Sequence, residues 1–255
     1  MITTTKLYKG AVSLLFDDVK HLYTVDGVPV NGVTTVLGVI NKPALVYWSA
    51  NKAAEYVDLY LPVGSVVDEI SKKELVAGCK TAHRKLLSSA GDFGTILHGL
   101  IEKLIKGEPY VEPVHPKLKE AIGQFLKWVK DNDVKFNGSE RKIYSKKYNY
   151  AGTLDFLATI NGKKVLGDLK TSSGVYDEMS LQLAAYQNAM QEEFGVGIDR
   201  SVIIRCGKDG SFEVAEITEF EKNFEAFICA LGLHRRLKEM SFKKLKENLK
   251  KSDVE

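Results

Sequence analysis

An Asn161-Gly162 pair set between two apolar runs leaves this part of the chain few ways to fold. Gly152-Thr153-Leu154-Asp155-Phe156 precedes it, and Leu166-Gly167-Asp168-Leu169-Lys170-Thr171 follows. Asn-Gly favours a two-residue type I′ turn, because both central residues must take positive φ, and such a turn fixes the register of a hairpin. With Ile160 opposite Lys163, counting back along both strands sets Asp155 against Asp168. Directly opposed residues hold their Cβ atoms ~4.5–5.5 Å apart, and like charges there are destabilising. Strand alternation puts Lys170 on the face of Asp168 and turns Gly167 and Leu169 the other way. Two facing carboxylates on apolar strands call for a compensating cation, and a divalent metal with hard oxygen ligands is the natural candidate. The hairpin alone also suits a solvent-facing edge with ordinary surface charges. Asp18-Val19-Lys20, Asp133-Val134-Lys135 and Glu140-Arg141-Lys142 repeat the acid-x-Lys form. The Asp168 copy differs in its apolar approach, Lys164-Val165-Leu166-Gly167, and in the acid facing it across the turn.

Around this hairpin the chain alternates between strand and helix patterns. Val12–Phe16, Leu22–Val25 and Val28–Val30 read as strands, with a turn at Asp26-Gly27. Val33–Ile40 and Ala44–Tyr60 read as helices broken by Pro43, and Ser71–Ala90 as another. Asp92 is a candidate N-cap for a helix through Leu97, Leu100, Ile101, Leu104 and Ile105, stopped by Gly107 and Pro109. Pro116–Asp131 carries Ile122, Phe125, Leu126 and Val129 at helical spacing. After Gly138 strands dominate: Glu140–Ser145, Tyr150–Ile160 and Lys163–Thr171. A helix over Ser180–Phe194 comes next, then strands Ser201–Cys206 and Phe212–Ile217, then a closing helix from Glu219 to about Lys250. There are no internal repeats and no linker-like segment. The expectation is one α/β domain over residues 1–255, with a helical N-terminal half and a central mixed β-sheet over 140–217 flanked by helices.

Composition narrows the class. No apolar run approaches the ~20 residues a membrane-spanning helix needs. Met1-Ile2-Thr3-Thr4-Thr5-Lys6 lacks the apolar core of a signal peptide, so a cytoplasmic setting is expected. Cys79, Cys206 and Cys229 are odd in number and far apart, which excludes a disulfide framework, a CxxC zinc site and a four-cysteine iron–sulfur cluster within the chain. Net charge is only +3, but its distribution is uneven. His234–Lys251 carries eight Lys or Arg against two Glu, and Ser71–Ser88 carries Lys72, Lys73, Lys80, Arg84 and Lys85. Such patches suit a phosphate backbone; the C-terminal run suits a solvated amphipathic helix equally.

Two further pieces stand apart from the hairpin. His98 and Glu102, in and after Gly94-Thr95-Ile96-Leu97-His98, share a helix face at i, i+4. Alone, a histidine between Leu97 and Leu100 reads as a packing residue. Gln182 and Tyr186 lie one turn apart on the helix after the hairpin, and alone they read as surface polarity.

Taken in order, Gly-Thr-x-x-His (94–98), Gly-Thr-Leu-Asp (152–155), Asp-Leu-Lys-Thr-Ser (168–172) and Gln-x-x-x-Tyr (182–186) resemble the PD-(D/E)XK nuclease superfamily. The similarity is to the RecB-like exonuclease branch, which includes phage-encoded exonucleases and the mitochondrial genome maintenance exonuclease. Gly32-Val33-Thr34-Thr35-Val36-Leu37 and Leu45-Val46-Tyr47-Trp48 extend it over roughly residues 20–190. The resemblance implies a restriction-endonuclease-like core and a Mg²⁺- or Mn²⁺-dependent DNA exonuclease. It implies activity on single strands or ends, in recombination, repair or phage DNA metabolism, in a bacterial or phage-infected cell. The alternatives are an endonuclease on the same fold, or a DNA-binding module with a silent site. By the same resemblance His98, Asp155 and Asp168 ligate the metal with the Leu169 carbonyl, and Lys170 orients the attacking water. Gln182 and Tyr186 steady the lysine and the DNA strand, Thr171 and Ser172 contact substrate, and Glu140 serves a second metal. Arg84, in the basic run Ser71–Ser88, is a further candidate for substrate contact. Asp168 stands where the family often has Glu. The cysteines of the iron–sulfur clamp found in some relatives are absent, so no such cluster is expected. Tyr148, Tyr150 and Tyr176 neighbour the site in sequence and offer stacking surfaces for unpaired bases.

Overall fold

A computed structural model describes residues 2–195 and 197–240. The chain forms two compact units, residues 1–40 with 100 onward, and residues 41–99. In chain order the elements are β1 (Ile2–Leu7), β2 (Val12–Asp17), β3 (Leu22–Val25), β4 (Val28–Gly32), α1 (Val33–Leu37), α2 (Pro43–Tyr60), α3 (Glu69–Lys106) and α4 (Pro116–Asp131). Next come β5 (Lys135–Ser145), β6 (Tyr150–Ile160), β7 (Lys163–Lys170), α5 (Asp177–Phe194), β8 (Arg200–Cys206), β9 (Phe212–Ile217) and α6 (Phe220–Glu239). The helix expected to reach Lys250 is described to Glu239, and residues 241–251 of the basic run lie outside the described residues. No helix among the described residues is long and apolar enough to cross a membrane.

The smaller unit holds α2 and most of α3. Gly78 of α3 lies against Tyr56 of α2, where a Cβ would come within 2.2 Å of the phenol ring. Asp92 is no N-cap: α3 is helical through it, from Glu69 to Lys106. Asp92 is a residue type that favours caps, but the helix continues past it, as tertiary context allows for a weak local preference.

The larger unit is built on a nine-stranded mixed sheet. It is wider than residues 140–217, because the N-terminal meander β1–β4 joins it through a short parallel pairing of β4 with β6. The hairpin turn forms as its dipeptide demands, with φ of 51° at Asn161 and 76° at Gly162. Ile160 pairs with Lys163, and the ladder continues to Phe156 opposite Gly167. Gly167 lets the buried Phe156 ring lie against the backbone there, since a Cβ would sit 1.8 Å from Phe156 Cζ and force the ring to move. One side of the core packs Leu183, Ala185 and Ala189 of α5 and Phe227 and Leu231 of α6 with Tyr150, Leu154, Leu166 and Ile203 of the strands. Each large apolar side chain among these contributes ~1.5–3 kcal/mol by leaving water. Elsewhere Phe125 and Trp128 of α4 meet Phe136 and Phe156 through ring contacts.

Sheet topology creates an opening at the centre of β6. One edge of β6 is paired along its length by β5, from Ser145–Tyr150 to Lys135–Thr159. The other edge is shared: β4 takes Tyr150 and Ala151, and β7 takes Phe156 to Ile160. Between them Gly152–Asp155 has no strand partner on that edge among the described residues. β7 leaves β6 beyond Gly167 but stays paired with β8 through Lys170. The sheet therefore forks at the residues the hairpin register singles out.

Candidate active site

Three carboxylates stand abreast at this fork. Extending the β6–β7 register by one step brings Asp168 beside Asp155. On the other edge, Ser139 opposes Phe156 and Arg141 opposes Leu154, which leaves Glu140 level with Asp155. Glu140 itself has a φ of 48°, a left-handed conformation that costs a non-glycine residue on the order of 1–3 kcal/mol and interrupts the ladder there. Carboxylate oxygens of Glu140 and Asp155 come within 4.8 Å of one another. Two residues along β5 from Glu140, Lys142 opposes Thr153 of β6. Lys170 stands at the same spacing from Asp168 on β7. All six side chains line a cavity of about 300 Å³, together with Phe16, His21, Tyr23, Val33, Thr34, Gly152, Gln182 and Tyr186.

The β7 side of the cavity is tightly held. Where β6 and β7 part, the Asp155 carboxylate replaces the missing ladder bond: Leu169 N–H donates to Asp155 Oδ2 at 2.6 Å. Asp168 is 1 % exposed. Its Oδ1 accepts from Gln182 Nε2 at 2.9 Å, and the same nitrogen donates to the Tyr186 hydroxyl oxygen at 2.9 Å. Its Oδ2 forms an ion pair with Lys170 Nζ. Gln182 and Tyr186 are both buried, so their i, i+4 spacing on α5 builds a second wall and is no surface feature. Gly152 makes room for that wall, because a Cβ there would come within 2.6 Å of Tyr186 Cε1. The glycine of the Gly-Thr-Leu-Asp motif thus serves the tyrosine of the Gln-x-x-x-Tyr motif.

Electrostatics at the fork favour a bound cation. Burial pushes the Asp155 carboxyl well above the usual carboxylate range, and the neighbouring Asp168 charge adds to the effect. Burial likewise raises Glu140, partly offset by Lys142. For Lys170 burial works against the charge, but Asp168 and Asp155 outweigh it and hold the ammonium above the ordinary lysine range. Burial and the Asp168 charge keep the Tyr186 phenol protonated. Asp168 Oδ2 is fully buried against the Lys170 ammonium. Such an acceptor, beside two carboxylates that burial makes hard to ionise, belongs to a donor set that fits a hard divalent cation.

The other expected site residues sit on other elements. His98 is half-buried on α3 in the smaller unit, and Arg84 is exposed on the same helix. Thr171 comes directly after β7, and Ser172 is used by its own turn, donating to Gly174 O at 2.7 Å while its carbonyl accepts from Arg205 Nη1. Two of the three tyrosines offered for base stacking are occupied within the protein. Tyr150 is fully buried and donates to Ala185 O, and Tyr148 packs edge-on against Phe224. Their nearness in sequence to the site does not reach the cavity, because Tyr150 packs under α5 and α6 and Tyr148 packs against α6. Tyr176 is exposed just before α5, with its hydroxyl paired to Ser173.

Sequence reasoning missed Lys142, Thr153, Phe16, His21 and Tyr23, all of which line the cavity. Tyr23 and Thr153 share a 2.8 Å hydrogen bond, and burial pushes the Tyr23 phenol up to about 12. The rings of Phe16 and Tyr23 stack with centroids 4.6 Å apart. The signal for Lys142 was its acid-x-Lys tripeptide, one of several.

No protein-family model and no curated protein matches the sequence. Among solved structures the backbone is similar to a presumed exonuclease from Eubacterium rectale, at 12% identity and TM-score 0.42, over 78% of this chain and 86% of that one. It is also similar to an alkaline exonuclease from Laribacter hongkongensis, at 9% identity and TM-score 0.36, over 81% of this chain and 98% of that one. At such identities the fork's geometry and the order of the sequence motifs must carry any functional reading.

Proposed function

We propose that this chain is a metal-dependent deoxyribonuclease that hydrolyses phosphodiester bonds as an exonuclease, on single-stranded DNA or DNA ends. One observation carries the reading: Glu140, Asp155 and Asp168 stand side by side at a fork in the sheet, with Lys170 held against Asp168 inside the same cavity. Three acids repel a polyanion unless a cation lies between them. Bound Mg²⁺ or Mn²⁺ supplies a water of lowered pKa and a polarised phosphoryl oxygen.

The chain's own residues then have distinct roles. Asp155 and Asp168 hold the cation from adjacent strands, with the Leu169 carbonyl beside them. His98 is the proposed third ligand, on the strength of its motif alone, and Glu140 serves a second cation. Lys170 sets a fixed positive charge where negative charge develops on the phosphate, and such preorganised charge dominates many enzymatic rate enhancements. Gln182 holds Asp168 and Tyr186 in place, so the lysine and its acid are positioned before substrate arrives. Direct DNA contacts by Thr171 and Ser172, and a setting in recombination, repair or phage DNA metabolism, are supported by the motif resemblance alone, and a contact by Arg84 by its place in the basic run Ser71–Ser88.

The test is degradation of end-labelled linear DNA with Mn²⁺ or Mg²⁺, beside a circular single strand. Cleavage of the linear substrate that stops in EDTA, with the circle left intact, is the expected result. Loss of the circle moves the assignment to an endonuclease. Equal binding without cleavage by the wild type and by Lys170→Ala makes the chain a DNA-binding module and ends the nuclease reading.

A further inference from the structure

Among the described residues lining the cavity, Lys142 is the ammonium that the nuclease chemistry leaves unused. It stands on β5 two residues after Glu140, as Lys170 stands two residues after Asp168 on β7. Their surroundings differ. Lys170 is committed to the Asp168 carboxylate. Lys142 forms no ion pair among the described residues, and its Nζ instead lies over the Phe16 ring, 4.8 Å from the centroid. The stacked Tyr23 ring supports Phe16 from the N-terminal meander, and Tyr23 is tied to Thr153, the cross-strand partner of Lys142. An ammonium held by an aromatic face keeps its N–H donors for an outside acceptor. The side chain is half-buried and opens into the cavity that holds the three acids. Two strand residues span roughly 6.6 Å, comparable to the separation of successive phosphates on an extended nucleic-acid strand.

We propose that Lys142, seated on Phe16, binds the backbone phosphate next to the scissile one and so sets the position of the strand across the carboxylates. This rests on the nuclease reading and names the subsite on its β5 side. Lys142 is a positioning residue: it holds substrate, and Lys170 serves the reacting phosphate.

The experiment measures steady-state degradation of an end-labelled single-stranded DNA with Mn²⁺, at several salt concentrations, for the wild type, Lys142→Gln, Lys142→Arg and Phe16→Leu. Loss of one charge-assisted contact predicts a KM about tenfold higher for Lys142→Gln, with kcat little changed. Loss of one phosphate contact also predicts a salt dependence shallower by roughly 0.7 in log–log slope. Lys142→Arg restores both, and Phe16→Leu raises KM less while keeping the slope. Thermal melts matching the wild type show that the variants fold. An active wild type with KM and slope unchanged in Lys142→Gln overturns the proposal and leaves the nuclease reading standing. So does equal impairment of the Gln and Arg variants with an unchanged slope, which marks a packing role on Phe16. If the wild type is as inactive as Lys170→Ala, the nuclease reading fails and the subsite falls with it.

Discussion

The two sides of β6 carry the same tripeptide form, Asp168-Leu169-Lys170 on β7 and Glu140-Arg141-Lys142 on β5, yet they are held in opposite ways. On β7 the acid is buried, hydrogen-bonded by Gln182 and paired with its own lysine. On β5 the acid sits on a strained left-handed backbone, and the lysine leans on an aromatic ring. Paired carboxylates hold Lys170 above the ordinary lysine range despite its burial, whereas burial lowers Lys142 from that range. Acid-x-Lys is therefore not itself a site. What surrounds the tripeptide decides whether its lysine is locked in an ion pair or keeps its N–H donors for the cavity.

If the β7 side is the preorganised one, its loss has the greatest effect. Lys170→Ala is expected to lower kcat by roughly 10²–10³-fold, the scale for removing one fixed donor to developing charge. Single-turnover cleavage with saturating Mn²⁺ measures it, and a loss confined to KM would make the two lysines equivalent. Next, Gln182→Ala removes the group that holds both Asp168 and Tyr186. A drop of about 10–100-fold in metal affinity or activity is expected for such a supporting residue, read from a Mn²⁺ titration. No change there would mean that Lys170 alone orders the β7 side.

Asp155, which stands between the two sides, offers a contrast in stability. Its carboxyl is raised above its ordinary value of 3.8. Its contribution to folding is therefore fully present below that value and is lost as pH rises through the higher folded-state value. In EDTA, Asp155→Asn is expected to melt above the wild type, by a margin that grows from mildly acidic to mildly alkaline buffer. The substituted amide keeps an oxygen to accept from Leu169 N–H. With Mn²⁺ at about a hundred times its Kd the wild type gains ~2.7 kcal/mol, and the variant loses this gain. A margin that ignores pH, or a Mn²⁺ shift that survives the substitution, would remove Asp155 from the metal site. The smallest effect is expected for Tyr23→Phe on the β5 side. It gives up one hydrogen bond to Thr153, worth about 0.5–1.5 kcal/mol by urea titration, with the Lys142-dependent KM nearly unchanged.

Parts of this arrangement are legible along the chain, and the reason is locality. The Asn161-Gly162 register holds from Ile160–Lys163 to Phe156–Gly167 because a two-residue turn admits one alignment of its strands. Helix α4 forms over Pro116–Asp131 as its apolar spacing requires. Asp92 misleads because a local cap preference yields to helical continuity in α3. The β5–β6 register cannot be counted from sequence. Its connection, Lys146–Asn149, carries no Asn-Gly pair, and an irregularity between Phe136 and Gly138 shifts the ladder. Glu140 and Lys142 therefore look like one acid-x-Lys repeat among several.

Strand alternation, helix pitch and one tight turn thus dictate the hairpin, the shared face of Asp155, Asp168 and Lys170, and the one-turn spacing of Gln182 and Tyr186. Each is set within a few residues of backbone, where the amino-acid order leaves little choice. Long-range packing settles the rest. It makes β4 and β7 share an edge of β6 and part around Gly152–Asp155. It buries Gln182 and Tyr186 as a wall, and brings Phe16 from the N-terminal meander under Lys142. Phe16 and Lys142 are more than a hundred residues apart along the chain. No local preference reaches that far, so their meeting depends on how the whole sheet closes around β6.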